Sequence, residues 1–70
     1  MEFIIKKLQH LSVGEHWIYG NGFSVYRVNA GWTIYKKGVH VITTSSIHDI
    51  AKEIKLTFIA IEVTNAVMSN

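Results

Sequence analysis

HWIYGNGFSVYRVNAGWTIYKKGVHVIT, residues 16–43, is the stretch on which the fold turns. Three glycine-bearing breaks, Asn21-Gly22, Asn29-Ala30-Gly31 and Lys37-Gly38, divide it into short runs rich in aromatic and β-branched residues. Glycine reaches the positive φ that tight hairpin turns demand, and aromatic and β-branched side chains suit a pleated, half-buried surface. The pattern predicts strands at His16–Gly20, Phe23–Val28, Trp32–Lys36 and Val39–Thr43, joined as an antiparallel meander.

Loop length carries this reading on to register. A two-residue loop at Asn21-Gly22 sets Tyr19 opposite Ser24 and Trp17 opposite Tyr26. A three-residue loop at Asn29–Gly31 sets Val28 opposite Trp32, and a Lys37-Gly38 loop sets Ile34 opposite Val41. One face then gathers Trp17, Tyr19, Tyr26, Val28, Trp32, Ile34, Val39 and Val41, apolar enough to be covered by helices. The other gathers His16, Ile18, Val25, Arg27, Thr33, Tyr35, Lys37, His40 and Ile42 and is the expected binding surface.

Downstream, Thr43-Thr44-Ser45-Ser46 offers hydroxyls for a helix cap, Asp49 falls in the first turn, and Lys52 and Lys55 follow toward the end. Ile47, Ile50, Ala51 and Ile54 recur at helical spacing and predict a helix from about Ser46 to Lys55. Upstream, Met1–Leu11 reads as helix, with Phe3, Ile4, Leu8 and Leu11 on one helical face, although Ile4-Ile5 makes a strand-like β-branched start. Leu56–Met68 reads as helix, although Thr57, Ile59, Ile61 and Val63 alternate as in a strand. This last segment is apolar on more than one side, so Phe58, Ile59, Ile61 and Val63 are expected to meet a second subunit or a partner. The expected fold class is α+β. A small antiparallel meander of three to four strands carries an N-terminal helix and C-terminal helical segments on one face, in a single domain over residues 1–70.

Composition limits what such a domain can be. With 70 residues, a chain buries only about 60% of its unfolded surface. No cysteine is present, so neither disulfides nor thiolate zinc ligands are available, and a reducing cytoplasm is the expected setting. Packing alone must hold the fold, and an apolar content of 49% raises the expectation of a homodimer. Lys6 and Lys7 follow the apolar start rather than precede it, which does not fit a secretory signal. Lys52, Glu53, Lys55 and Glu62 interrupt the greasiest region before it reaches the roughly 18 apolar residues of a membrane span, so no membrane association is expected. The net charge of +2 is dispersed over Lys6, Lys7, Arg27, Lys36, Lys37, Lys52 and Lys55, with Glu2, Asp49 and Glu53 close to half of them. That balance permits nucleic acid without requiring it.

Chemistry-bearing patterns are sparse. His10, His16, His40 and His48 lack metal-ligand spacing such as H-x-H or H-E-x-x-H, and no metal or other cofactor is expected. Asp49 and Glu53 share a helix face at i, i+4, where capping and pairing with Lys52 account for them. Ser45 and Ser46 sit where capping uses them, and no nucleophile stands in sequence with a base and an orienting group. Gly20-Asn21-Gly22 leads into a strand, not into the helix N-terminus that a phosphate loop needs. Catalysis is therefore not expected. The functional signal is Arg27, Tyr35, Lys37 and His40, flanked by Thr33, where cations and an aromatic ring share a sheet face.

The order helix, antiparallel strands, helix resembles double-stranded-RNA-binding domains, small ribonuclease toxins and several stand-alone phage proteins in topology. Ser45-Ser46-Ile47-His48-Asp49 stands where the RNA-binding domains carry a basic cluster, and the Gly-Ser-His-His type of strand motif of the toxins is absent. The expected function is a non-enzymatic inhibitor or adaptor, of the kind small phage proteins supply, that docks on a larger protein complex. The alternative is a nucleic-acid-binding accessory protein. A third reading is a ribonuclease-like toxin with His16 or His40 as its acid-base group.

Overall fold

The computed structural model describes residues 2–68, with side chains through Thr64. Helix α1 spans Glu2–Gln9, strands β1 to β4 span His16–Gly20, Phe23–Val28, Gly31–Lys36 and Val39–Thr44, and helix α2 spans Ile47–Met68. The strands form one antiparallel sheet in the order β1-β2-β3-β4, with both helices on one side, so the α+β meander expected from the turns is what the chain forms. No helix among the described residues is long and apolar enough to cross a membrane.

Turn chemistry explains the hairpins and also where the expected register slips. Lys37 and Gly38 adopt φ of 51° and 80°, the two positive values of the mirror-image turn whose twist matches its strands, and Lys36 pairs with Val39 as that turn requires. At Asn21-Gly22 only the glycine has a positive φ, 82°. Gly20 pairs with Phe23, but the next pair is Ile18 with Ser24, leaving Tyr19 as an extra residue in a bulge. Trp17 consequently faces Val25 rather than Tyr26. The second connection is also one residue shorter than expected, because Val28 pairs with Gly31 and Arg27 with Trp32.

These two corrections fall on either side of β2 and turn it over. A slip of one residue exchanges the faces of a strand. Val25 and Arg27 go to the helix side, while Tyr26 and Val28 go to the open side, the reverse of the expected arrangement. A second bulge leaves Val41 unpaired and sets Ile42, not Val41, opposite Ile34. Ile42 thereby turns onto the core, against expectation, and Val39 and Val41 stay exposed.

Gly31 shows why β3 starts where it does. A Cβ built there would lie 2.1 Å from the Thr44 carbonyl oxygen, and its φ is 142°. Only glycine lets β4 approach this closely.

The core is formed by Ile4 and Leu8 from α1, Tyr19, Val25 and Ile34 from the sheet, and Ile50, Ala51 and Ile54 from α2. An aromatic rim closes one end, where Phe58 meets Trp17 and Tyr19 edge-on at ring distances of 6.4 and 6.1 Å. Trp32 donates its indole N–H to the Leu8 carbonyl at 3.4 Å, tying the end of α1 to the sheet. The Ser12–Glu15 loop is fastened to β2 by two backbone bonds of 2.9 Å, Gly14 N–H to Arg27 O and Arg27 N–H to Glu15 O.

Ser46 caps α2, its hydroxyl accepting from the Asp49 N–H at 3.3 Å. The helix does not stop near Lys55 but continues as one piece of 22 residues. At 1.5 Å per residue it is about 33 Å long, against roughly 20 Å for a six-residue strand. Phe58 and Ile61 still lie on the sheet, so it is the last turns of the helix that reach past it, in a molecule measuring 44 × 26 × 16 Å. Strand-like alternation in Leu56–Met68 yields to helix because Ile50, Ile54, Phe58 and Ile61 already form one continuous stripe at helical spacing.

Candidate functional site

The open face of the sheet is built from alternate residues of all four strands: His16 and Ile18, Ser24, Tyr26 and Val28, Thr33 and Tyr35, His40 and Thr43. Cross-strand pairing puts four rings in a row. His16 stacks on Tyr26 with centroids 5.1 Å apart and planes at 25°, Tyr26 meets Tyr35 edge-on at 5.6 Å, and Tyr35 meets His40 at 5.8 Å. These separations fall in the favourable range for aromatic pairs, so each ring holds its neighbours.

Hydroxyl groups fix the last ring. His40 Nε2 lies 2.7 Å from Thr43 Oγ1, which in turn lies 2.9 Å from Thr33 Oγ1. Thr33 is the buried member of this chain, and its hydroxyl is satisfied within it. Between the rings lies an open depression of about 530 Å³ lined by Ser24, Tyr26, Val28, Thr33, Tyr35 and Gly38. Neither this lining nor the row of rings includes a lysine, arginine, aspartate or glutamate.

Of the residues singled out from sequence, Thr33, Tyr35 and His40 come together here. Lys37 sits in the turn at the end of the face. Arg27 lies on the opposite face, where it is engaged within the fold. Its guanidinium is 4.4 Å from the centre of the Trp32 ring and donates to the carbonyls of Gly31 and Val28 at 2.6 and 3.1 Å. The cation expected to mark the binding surface instead closes the Asn29-Ala30 turn. Tyr26, Ser24 and Val28 were missing from the expected surface. Their alternation with Phe23, Val25 and Arg27 is visible in FSVYRV, but which set faces outward depends on the Tyr19 bulge.

The residues expected at a subunit interface also divide. Phe58 packs on the aromatic rim, whereas Ile59, Ile61 and Val63 are exposed, Ile61 the least of the three because it lies over Gly20. Leu56, left out of that group, is exposed beside them.

Potential reactive groups do not converge. His16 and His40 lie on the two outer strands, separated by Tyr26 and Tyr35. Among the described residues no three His, Asp or Glu side chains gather as a metal site would require. The Tyr19 phenol, on the helix side, is raised above its ordinary value of 10. Burial is the main cause and Glu53 adds to the rise, while the Thr57 hydroxyl opposes it. Compared with family models, with curated proteins and with solved structures, the chain matches none.

Proposed function

We propose that this chain is a non-enzymatic protein-interaction module, an inhibitor or adaptor that receives its protein partner on the open sheet face. The observation that carries the reading is the ring row His16–Tyr26–Tyr35–His40, flanked by exposed Ile18 and free of fixed charge. Tyrosine is among the residues that concentrate binding energy in protein interfaces, because it offers large area at low entropic cost and a polar tip. A face without fixed charge also avoids the desolvation cost of burying ions. Nucleic acid draws most of its affinity from phosphate neutralisation, and the turning of Arg27 onto Trp32 removes the central cation that reading relied on. The absence of cysteine from the sequence is compatible with a cytoplasmic setting.

The test is affinity capture of the tagged chain from nuclease-treated lysate of its source cells, run beside Tyr26→Ala and Tyr35→Ala. A stoichiometric protein partner that both variants lose, with the circular dichroism spectrum unchanged and melting lowered only by the lost ring contacts, is the expected result. A partner retained equally by both would refute the open face as its seat. Recovery that depends on intact nucleic acid would refute protein recognition itself.

A further inference from the structure

The second half of α2 carries a surface that neither the core nor the open face uses. Leu56, Ile59 and Val63 are 50%, 44% and 58% exposed. Their spacing of three and then four residues puts them on one stripe, and at 3.6 residues per turn that stripe lies about 180° around the helix from Ile50, Ile54, Phe58 and Ile61. The helix is thus apolar on two opposite sides, one pressed on the sheet and one open. Lys52 extends the open stripe at its N-terminal end, where its aliphatic stem can lie along apolar surface.

Two charges flank the stripe on the same side, Lys55 four residues before Ile59 and Glu62 three residues after it. Seven residues apart, they are separated by about 10 Å along the axis, too far to pair with each other. We propose that the occupant of this stripe is a second copy of the chain, its α2 running antiparallel across a two-fold axis beside Ile59. In that arrangement positions seven residues apart on one flank oppose each other, so Lys55 of each copy meets Glu62 of the other, twice by symmetry. A parallel pair gives neither residue an opposite charge. The stripe therefore carries its own complement and its own direction. Since it lies opposite the sheet, pairing buries four helices between two sheets and leaves both open faces outward. The dimer then presents two copies of the surface proposed above, and a partner with two epitopes gains avidity from it.

The full-length chain is the material for the test. Sedimentation equilibrium should give a dimer that Lys55→Glu or Glu62→Lys alone weakens on the order of tenfold, and that the double variant Lys55→Glu/Glu62→Lys restores. Because the chain has no cysteine, Ile59→Cys provides an independent reading. Mild oxidation should link two copies through the axis, while Val13→Cys, more exposed than Ile59 but outside the stripe, should not. A monomer at all accessible concentrations would overturn the proposal. So would a dimer indifferent to both charge reversals and not linked through position 59. Either result leaves partner capture by the open face untouched, so the two proposals fail separately.

Discussion

At the scale of single residues, Gly31 is the tightest constraint in the molecule. Any side chain there would drive a Cβ into the Thr44 carbonyl, in a backbone region that L-residues rarely adopt. Gly31→Ala should cost on the order of 3 kcal/mol or more, read as a lower urea midpoint at unchanged m-value. Tyr19 makes a different demand. Its phenol is raised by burial, so the folded chain holds its proton to higher pH than the unfolded chain does. The stabilisation is fully present below the ordinary tyrosine value and is lost as pH climbs past about 10 through the folded value. Tyr19→Phe should flatten the alkaline side of a plot of melting temperature against pH, and an unchanged slope there would contradict the assignment. Arg27→Ala should lower stability by about 1–2 kcal/mol in chemical denaturation, through loss of the Trp32 stack and two carbonyl bonds, and leave partner capture intact.

At the scale of elements, the helices and hairpins follow from local rules. Ser46 stands where a cap was needed, and Ser46→Ala should cost about 1 kcal/mol in the same denaturation assay. Strands, turns and the α2 start were legible because each rests on a few adjacent residues: Lys37-Gly38 for a turn, Ser46 and Asp49 for a cap. The facing of β2 was not legible. It depends on whether Tyr19 counts in the ladder and whether Gly31 belongs to loop or strand, and those choices are made by the packing of Tyr19 on Phe58 and by the closeness of Gly31 to Thr44. Hence the sequence placed Thr33, Tyr35 and His40 on the open face, but it sent Tyr26 inward and Arg27 outward. Leu56–Met68 is helical as expected, but its continuity with the helix that Ser46 caps was hidden for a related reason. Two apolar stripes on opposite sides of one helix blur the single periodicity by which a helix is read.

At the scale of the whole molecule, a chain of 70 residues draws little stability from one core. If pairing through α2 contributes, folding is coupled to association, and the melting temperature should rise as protein concentration is increased. Ile59→Asp should remove that dependence without altering the far-ultraviolet spectrum of the fold. A melting temperature independent of concentration in the parent chain would show that the core suffices by itself.

The two bulges fall one on each outermost strand, Tyr19 on β1 and Val41 on β4. An outermost strand offers unpaired amides and carbonyls to any passing extended chain, and a sheet of this kind is open to endless lateral growth. An extra residue in each border breaks the regular spacing that a neighbouring strand would have to match. The same irregularities that mislead a reader about facing thus act as safeguards against fibre formation. Deleting Val41 to straighten β4 should convert a well-behaved solution into one that binds thioflavin and scatters light, while the parent chain at equal concentration stays clear.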